Sequence, residues 1–412
     1  MMSEYPSKVE TSEYKSGFSL PQSYYVSDAQ FEKDLSVFLT DYWHLVDHVS
    51  SIPDPGDYLL FEIADESIIV VRNKDDQIRA HHNVCRHRGS VICTQSKGNA
   101  SLLTCPYHAW AYDLDGNLRN NRNMPEDFRK EEYGLTPCHI RIFHGLIFVC
   151  VSRRDPPNFD DYTSRFNAFL EPFHIEDAKV ACRKRFPTNA NWKLCFENFI
   201  ECYHCLPSHK TYSRVHDVSS QNLLGGEGEE LSKHQLAWEQ RIKELGTHVP
   251  PFQDEEYSPH FQTGLRWEIG HGHVSGSEDG EPVAPLMGDF RKTGYDGGHS
   301  YCLFGPLLTI GTYPDHVLLY RFVPRSALET DTEVIWLIRS DAVEGTDYDV
   351  NRLTHLWSTT FSEDKIICDN NQKGVKSQAY QPGRYSLLET RTRQFADWYI
   401  RQFLKQEESG KS

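Results

Sequence analysis

No stretch of this chain is apolar for long enough to cross a membrane. The longest plain apolar run, about Gly145 to Val151, falls far short of the roughly 20 residues a spanning helix requires. The opening residues, Met1 to Phe18, carry Glu4, Lys8, Glu10, Glu13 and Lys15 and no apolar core of signal-peptide length. Secretion therefore has no support, and a cytoplasmic location is expected. Basic residues are in deficit: 43 Lys and Arg against 59 Asp and Glu give a net charge of -16. A surface of that sign repels polyphosphate and argues against a nucleic-acid partner. The chain also has no Gly-x-Gly-x-x-Gly fingerprint, so a nicotinamide or flavin of its own is not expected. Internal repeats and low-complexity tracts are absent as well.

What is present is ordinary for a globular protein: 412 residues, 38% hydrophobic and 25% charged. At about 150 residues per domain, this length corresponds to two or three domains. Eleven cysteines are an odd and modest number, which in an intracellular chain reads as thiols or metal ligands before disulfides.

Between Pro21 and His48, apolar residues recur at helical spacing (Phe31, Leu35, Phe38, Leu39, Trp43) behind the capping residues Ser27 and Asp28, which predicts one or two opening helices. From Tyr58 to Val151 the texture changes to short apolar segments, such as Tyr58 to Ile63 and Ser67 to Val71, separated by Gly, Asp and Asn. That is the pattern of a small all-β domain. Asp155-Pro-Pro-Asn158 makes a stiff break, and helical periodicity returns from Tyr162 to Phe173. Trp192 to His204 is expected as a helix stopping near Pro207, and Leu231 to Leu245 as an amphipathic one. Strand-like pieces at Tyr301 to Phe304, His316 to Phe322 and Val334 to Ile338 predict an antiparallel sheet. Helices over Asp347 to Lys373 and Ser386 to Leu404 then close the chain.

Cys85-Arg-His87 and Cys105-Pro-Tyr-His108 place one cysteine and one histidine on each of two loops of the β domain. Two thiolates and two imidazoles suit zinc or an iron–sulfur cluster. Zinc fingers normally pair Cys-x-x-Cys with two histidines. One Cys and one His per loop is instead the Rieske pattern of a [2Fe–2S] centre, in which each loop gives one ligand to each iron. Two ferric ions, two sulfides, two thiolates and two neutral imidazoles carry no net charge. Such a cluster accepts an electron roughly between -150 and +300 mV, against about -400 mV for a four-thiolate one.

A second constellation runs from Asn191 to His209 and holds His204 and His209 on either side of Pro207. Five residues apart on an unbroken helix, they would diverge by about 140°. A turn at Pro207 lets both face one point. Two neutral imidazoles need one carboxylate to complete the facial triad of a non-haem Fe(II), and Glu201 or a distant acid could supply it.

Together, Cys85-x-His87, Cys105-x-x-His108 and Glu201-x-Tyr203-His204-x-x-x-x-His209 resemble the α subunit of a Rieske non-haem iron oxygenase over nearly the whole chain. The resemblance implies an α+β fold: an all-β Rieske domain plus a helix-grip catalytic domain with an antiparallel sheet. The implied boundaries are 1–42 (an N-terminal part of the catalytic domain), 43–155 (Rieske) and 156–412 (catalytic). It further implies that the third iron ligand is Asp364, which stands eight residues before Gln372 in an Asp…Gln-x-Gly context, with Asp369 as the competitor. Glu201 takes the place of an acid that bridges to a Rieske histidine of the next subunit in a ring of three, and the family's usual aspartate is a glutamate here. Asn198 matches an amide beside the iron, and Ala109 stands where relatives usually have glycine.

Cys202 and Cys205 are read as small packing residues near the iron, His271 and His273 as loop residues, and His81 and His82 as hydrogen-bonded strand histidines. Glu197-Asn198, Glu201-Cys-Tyr-His-Cys205, Pro285-Leu-Met-Gly288 and Pro382-Gly-Arg-Tyr-Ser386 resemble the glycine betaine, choline and carnitine monooxygenase branch. That likeness implies O₂-dependent N-demethylation or hydroxylation of a betaine-like quaternary amine held in an aromatic box, with electrons from a separate flavin- or ferredoxin-type reductase. Which of the aromatic residues line the pocket is not legible. An aromatic-ring hydroxylating or O-demethylating oxygenase is the alternative, and a non-catalytic electron-transfer protein is a more distant one.

Overall fold

The computed structural model describes residues 13–39, 42–63, 65–152, 155–218, 229–246, 249–250, 253–254, 260–270 and 272–409. His271 lies outside them. The chain divides into two compact units, 38–159 and 1–37 with 160–412.

Residues 38–159 build three small antiparallel sheets. The first has the strand order Ile78–His82, Glu66–Arg72, Asp57–Ile63, Lys97–Asn99. Ile68, Ile69, Val70 and Val71 are all fully buried, as befits a β-branched central strand with both faces covered. The second sheet contains His44–His48 paired with Leu146–Cys150. The opening helices therefore end before His48. They are Gln22–Val26 and Asp28–Asp34, the latter capped by Ser27, which accepts from Gln30 N at 3.2 Å. All five side chains of His44–His48 are buried, and the inter-strand ladder overrides the helical spacing. The third sheet is Leu103–Thr104, Ala111–Tyr112 and Leu118–Asn120.

Two loops in this unit repeat the same turn. Gly89 N donates to Cys85 O at 2.9 Å, and Ala109 N donates to Cys105 O at 3.0 Å. Both closing residues are left-handed, with φ of 76° at Gly89 and 58° at Ala109. The conformation is free to glycine but strained for alanine.

The larger unit centres on a seven-stranded antiparallel sheet in the order Ala178–Thr188, Glu329–Arg339, His316–Ser326, Leu308–Tyr313, Gly298–Gly305, Thr263–Glu268, Gln253–Asp254. The predicted strand pieces all fall within it. Helix Val350–Val375, capped by Asp349 through Arg352 N at 2.9 Å, lays Leu353, Leu356, Trp357, Thr360 and Phe361 against this sheet and the helix Trp192–Phe199. The opening helices are fastened to the same place. Lys193 forms a fully buried ion pair with Asp34, and Tyr25 donates its hydroxyl to Glu197 at 2.9 Å. Burial pushes the Glu197 carboxyl up to about 8 against the opposing effects of Tyr25 and Lys193.

One strand in from the sheet's edge, Glu333 lies opposite Arg321 on one neighbouring strand and Arg185 on the other. Its side chain is 1% exposed and accepts from Arg321 Nε at 2.8 Å, Arg185 Nε at 3.2 Å and Arg183 Nη1 at 3.3 Å. Burial opposes its charge, but the three guanidiniums outweigh it and hold the carboxyl down to about 2.

Two predictions follow from these placements. Ala109→Gly removes the left-handed strain and should raise stability by about 1 kcal/mol, read as a higher urea midpoint. An unchanged or lower midpoint would show that the alanine methyl compensates for its backbone. Glu333→Gln removes the buried carboxylate charge that three arginines share and should cost about 3–5 kcal/mol at neutral pH. Because the folded pKa lies below the ordinary carboxylate value, the stabilisation is present above about pH 4.5 and is lost as pH falls through about 2. The gap between variant and parent should narrow on acidification, and a pH-independent gap would refute the ionic origin.

Candidate metal centres

Cys85 and Cys105 are the inner pair of the first constellation, each 2% exposed, while His87 is half-buried and His108 exposed. The Tyr112 hydroxyl lies 3.3 Å from Cys85 Sγ and accepts from Arg86 N at 3.0 Å, which ties the loop to the adjoining strand. The His87 and His108 rings stand 4.7 Å apart, and His87 stacks on Trp110 at 4.7 Å. Thiols thus meet on the inside and imidazoles meet nearer the surface. Burial pushes the Cys85 thiol up, so a thiolate there needs a cation beside it.

A single zinc gathers its ligands within about 4 Å of one another. Among the described residues, only His204, His209 and Asp364 bring three such donor atoms within 4.8 Å of one another. The four cluster residues are paired rather than gathered at one point. They fit a two-metal cluster and do not fit one zinc.

The second constellation arises from a helix that stops early. Trp192–Phe199 ends at Phe199, with Ile200 as its cap, rather than running on to His204. The Glu201 carboxylate takes the Tyr203 and His204 amides, and a side chain that bonds nearby backbone competes with helix continuation. A one-turn helix follows, Cys205–Ser208, and it tolerates Pro207 because first-turn amides have no helical acceptor. His204 precedes this turn and His209 ends it.

His204 Nε2 and His209 Nε2 are 3.1 Å apart. Asp364 Oδ1, from the long helix Val350–Val375, lies 2.9 Å from the second and 3.4 Å from the first. Three donors on one face of an octahedron, each about 2.1 Å from a metal, sit about 3 Å apart. Each ring is oriented from behind: Glu201 takes His204 Nδ1 at 2.5 Å, and Glu363 takes His209 Nδ1 at 2.7 Å. Both Nε2 lone pairs are thereby turned inward. Asn198 Nδ2 lies 3.3 Å from His204 Nε2.

Burial disfavours charge on His204, but Asp364 and Glu201 outweigh it and push the imidazole up to about 9. His209 is raised in the same way by Asp364 and Glu363. Burial would raise Asp364, yet the two imidazoles hold it down. An environment that draws protons onto both rings suits a divalent cation, which competes for the same lone pairs.

Asp369 is not in this group; it accepts from Asn189 N at 2.7 Å and pairs with Lys365 at 2.6 Å. The cysteines read as separate packing residues are instead bonded to each other. The turn after Phe199 brings the Cα atoms of Cys202 and Cys205 to 4.9 Å, within disulfide span. His81 Nε2 meets Leu114 O at 3.1 Å, and His82 Nδ1 meets Glu66 at 3.0 Å. His273 Nδ1 meets Val215 O at 2.9 Å.

Sequence reasoning missed Glu363, although its position beside Asp364 on the helix was a usable signal. It expected an aromatic box but named none of its residues. A cavity opens on the His204, His209 and Asp364 trio, and Phe199, Tyr212, Trp267, Tyr301, Tyr320 and Trp357 are among its lining residues. Ring centroids are 5.5 Å apart for Tyr212 and Trp357, 5.1 Å for Trp357 and Tyr320, and 5.1 Å for Tyr320 and Phe199.

Two family descriptions match the chain: Rieske [2Fe-2S] domain over residues 42–141, and ring hydroxylating alpha subunit (catalytic domain) over 174–405. The glycine betaine monooxygenase oxygenase subunit of Pseudomonas aeruginosa (strain UCBPP-PA14) is 36% identical over 399 residues, which cover 94% of this chain and 89% of the relative. The carnitine monooxygenase oxygenase subunit of Acinetobacter pittii (strain PHEA-2) is 34% identical over 205 residues, 48% of this chain and 54% of the relative. The crystal structure of the quaternary ammonium Rieske monooxygenase CntA with L-carnitine shares the fold. Its TM-score is 0.70 at 22% identity, over 94% of this chain and 96% of that one. The chain belongs to the Rieske oxygenase α subunits, with a Rieske [2Fe–2S] cluster and a mononuclear iron as its cofactors.

Proposed function

We propose that this oxygenase oxidises the carbon next to a quaternary nitrogen in a betaine-like compound, with glycine betaine as the first candidate. The observation that carries this reading is the aromatic-walled cavity opening on the His204, His209 and Asp364 trio. A quaternary nitrogen has no hydrogen to donate, so faces of Trp and Tyr rings are what can hold it. The similarity to glycine betaine and carnitine monooxygenase oxygenase subunits supports the same substrate class.

In this reading Cys85, His87, Cys105 and His108 hold the cluster, and His204, His209 and Asp364 hold the iron. The bound iron supplies O₂ activation at the open positions of the triad. Glu201 and Glu363 fix the ring tautomers, and Asn198 borders the metal position. The aromatic wall turns one N-methyl group toward the metal. Hydroxylation of that methyl uses O₂, two electrons and two protons and releases water. The resulting N-hydroxymethyl group collapses to formaldehyde and the demethylated amine.

The electrons come from a separate flavin- or ferredoxin-type reductase. Glu201 links the mononuclear site to a Rieske histidine of the next copy in a ring of three. Apart from the Cys202–Cys205 pair and the cluster ligands Cys85 and Cys105, the cysteines are free thiols, which accords with a cytoplasmic setting. No helix among the described residues is long and apolar enough to cross a membrane.

Formaldehyde release with a suitable reductase, assayed over glycine betaine, carnitine, proline betaine and simple aromatics, tests the substrate. Formaldehyde should appear with one or more of the ammonium compounds. Hydroxylated rings with no formaldehyde would instead establish the aromatic reading. For the ligands, Asp364→Ala should lose the mononuclear iron while the visible spectrum of the cluster persists, and Asp369→Ala should keep both. Iron lost from the Asp369 variant and kept by the Asp364 variant would reverse the assignment. Glu201→Gln should retain both centres and normal cluster reduction, yet lose about 10²-fold or more in turnover. Near-parent turnover would remove Glu201 from the electron path.

A further inference from the structure

One histidine of the cavity wall is left without a task by the metal site. His299 lines the cavity beside Trp267, Tyr301 and Tyr313 and is 6% exposed. Other polar groups of the wall are hydrogen-bonded: Asn198 to His204, Ser300 to Arg266, Thr360 to Leu356 O and Thr390 to Leu387 O. The imidazole of His299 finds no hydrogen-bond partner among the described residues, and its Nδ1 is wholly enclosed. A buried polar side chain with no partner is costly, and a ligand group that pairs with it recovers that cost.

The sheet puts this ring where a ligand would meet it. Alternate residues of a strand share a face, so along Gly298–Gly305 His299 points to the same side as Tyr301 and Leu303, and Trp267 is its cross-strand partner. The Trp267 and His299 ring centroids are 4.0 Å apart, and Tyr313 stacks at 5.5 Å. From the metal end, ring centroids step from His209 to Tyr212 at 6.4 Å, on to His216 at 4.2 Å and to His299 at 5.4 Å. His299 thus lies two rings beyond His209, clear of the metal position. Burial keeps its imidazole neutral, with His216 and Arg266 acting in the same direction, and Arg266 is itself paired with Asp296 at 2.6 Å. With Nδ1 enclosed, Nε2 is the nitrogen left to face the opening. A neutral ring offers a hydrogen bond there without setting another cation beside a bound ammonium.

Resting on the reading of the cavity as a quaternary-ammonium site, we propose that His299 is a specificity-determining residue whose imidazole N–H binds the carboxylate of a zwitterionic substrate while the neighbouring rings hold its ammonium end. A carboxylate accepts and cannot donate, which selects the tautomer with the proton on Nε2. A hydrogen bond to a charged acceptor is stronger than one to a neutral acceptor, so an ammonium compound that carries a carboxylate is favoured over one that lacks it. Held at that end, the substrate turns its N-methyl groups rather than its carboxylate toward the metal position.

The experiment measures binding to the holoenzyme by titration calorimetry, alongside formaldehyde release, for glycine betaine and for tetramethylammonium, which keeps the cationic head and lacks the carboxylate. If carnitine rather than glycine betaine is the compound demethylated, it takes glycine betaine's place. The parent should bind the zwitterion more tightly than tetramethylammonium. In His299→Phe, binding of the zwitterion should weaken at least about tenfold, and its kcat/KM should fall mainly through KM, while tetramethylammonium binding stays within about twofold of the parent's. His299→Gln, whose amide N–H can reach the Nε2 position, should recover part of the loss. An equal loss for both ligands would mean a packing role and overturn the proposal, as would undiminished binding of the zwitterion in His299→Phe. A parent enzyme that demethylates no ammonium compound would sink the proposed function and this inference with it. Demethylation by the parent, with both ligands affected alike in His299→Phe, sinks the inference alone.

Discussion

His209 Nε2 lies 2.9 Å from Asp364 Oδ1 and 3.1 Å from His204 Nε2. That spacing constrains everything else in the larger unit. Lone pairs this close repel and draw protons unless a cation sits among them, so the fold has to hold the three donors against their own preference. It does so from two directions. The turn after Phe199 supplies the histidines, and the long helix Val350–Val375 supplies the acid. Each is fixed by burial: Trp192, Leu194 and Phe196 from one side, Leu353, Leu356 and Phe361 from the other. Loosening either helix by an ångström would change ligand separations by a third of their length. The buried Lys193–Asp34 pair therefore matters to the site without touching it.

The same sheet that anchors the acid helix forms the cavity wall. Tyr301 and Tyr320 come from strands on either side of Leu308–Tyr313. Between them sits Gly311, where an added Cβ would meet the Tyr320 ring at 3.1 Å. The missing side chain lets that ring lie across the strand instead of standing upright. Core packing and the cavity lining thus draw on the same aromatic residues.

What could be read from sequence was short in range. Cys85 with His87, Cys105 with His108, and His204 with His209 are each joined by one turn, so spacing alone exposes them as candidate ligand sets. The strand pieces at Tyr301, His316 and Val334 were legible from their apolar runs. Asp364 lies 155 residues after His209 and was reached only through family likeness, since nothing local distinguishes it from Asp369. Glu363, the Cys202–Cys205 bond and the residues of the ring wall depend on which surfaces the fold brings together. The early end of Trp192–Phe199 was missed for a different reason. Periodicity registers apolar faces, but the helix is stopped by a carboxylate taking backbone amides, and Glu201 looks like any other helix acid in sequence.

Glu201 shows how one side chain can serve several demands. Its two oxygens offer about four acceptor sites. Oε2 takes the Tyr203 and His204 amides, and Oε1 takes His204 Nδ1. About one site remains, on a side chain that is 11% exposed. The extra methylene of glutamate over aspartate lets the carboxylate reach both its own turn and the imidazole ring three residues on. Orienting His204 therefore does not exhaust Glu201, and the remaining lone pair is what a histidine N–H from a neighbouring copy would need. A glutamine here would keep one acceptor oxygen and turn the other into a donor facing either amides or an imidazole N–H. The turn and the ring could not both be satisfied, and the outward site would be lost to whichever rearrangement relieved the clash of donors.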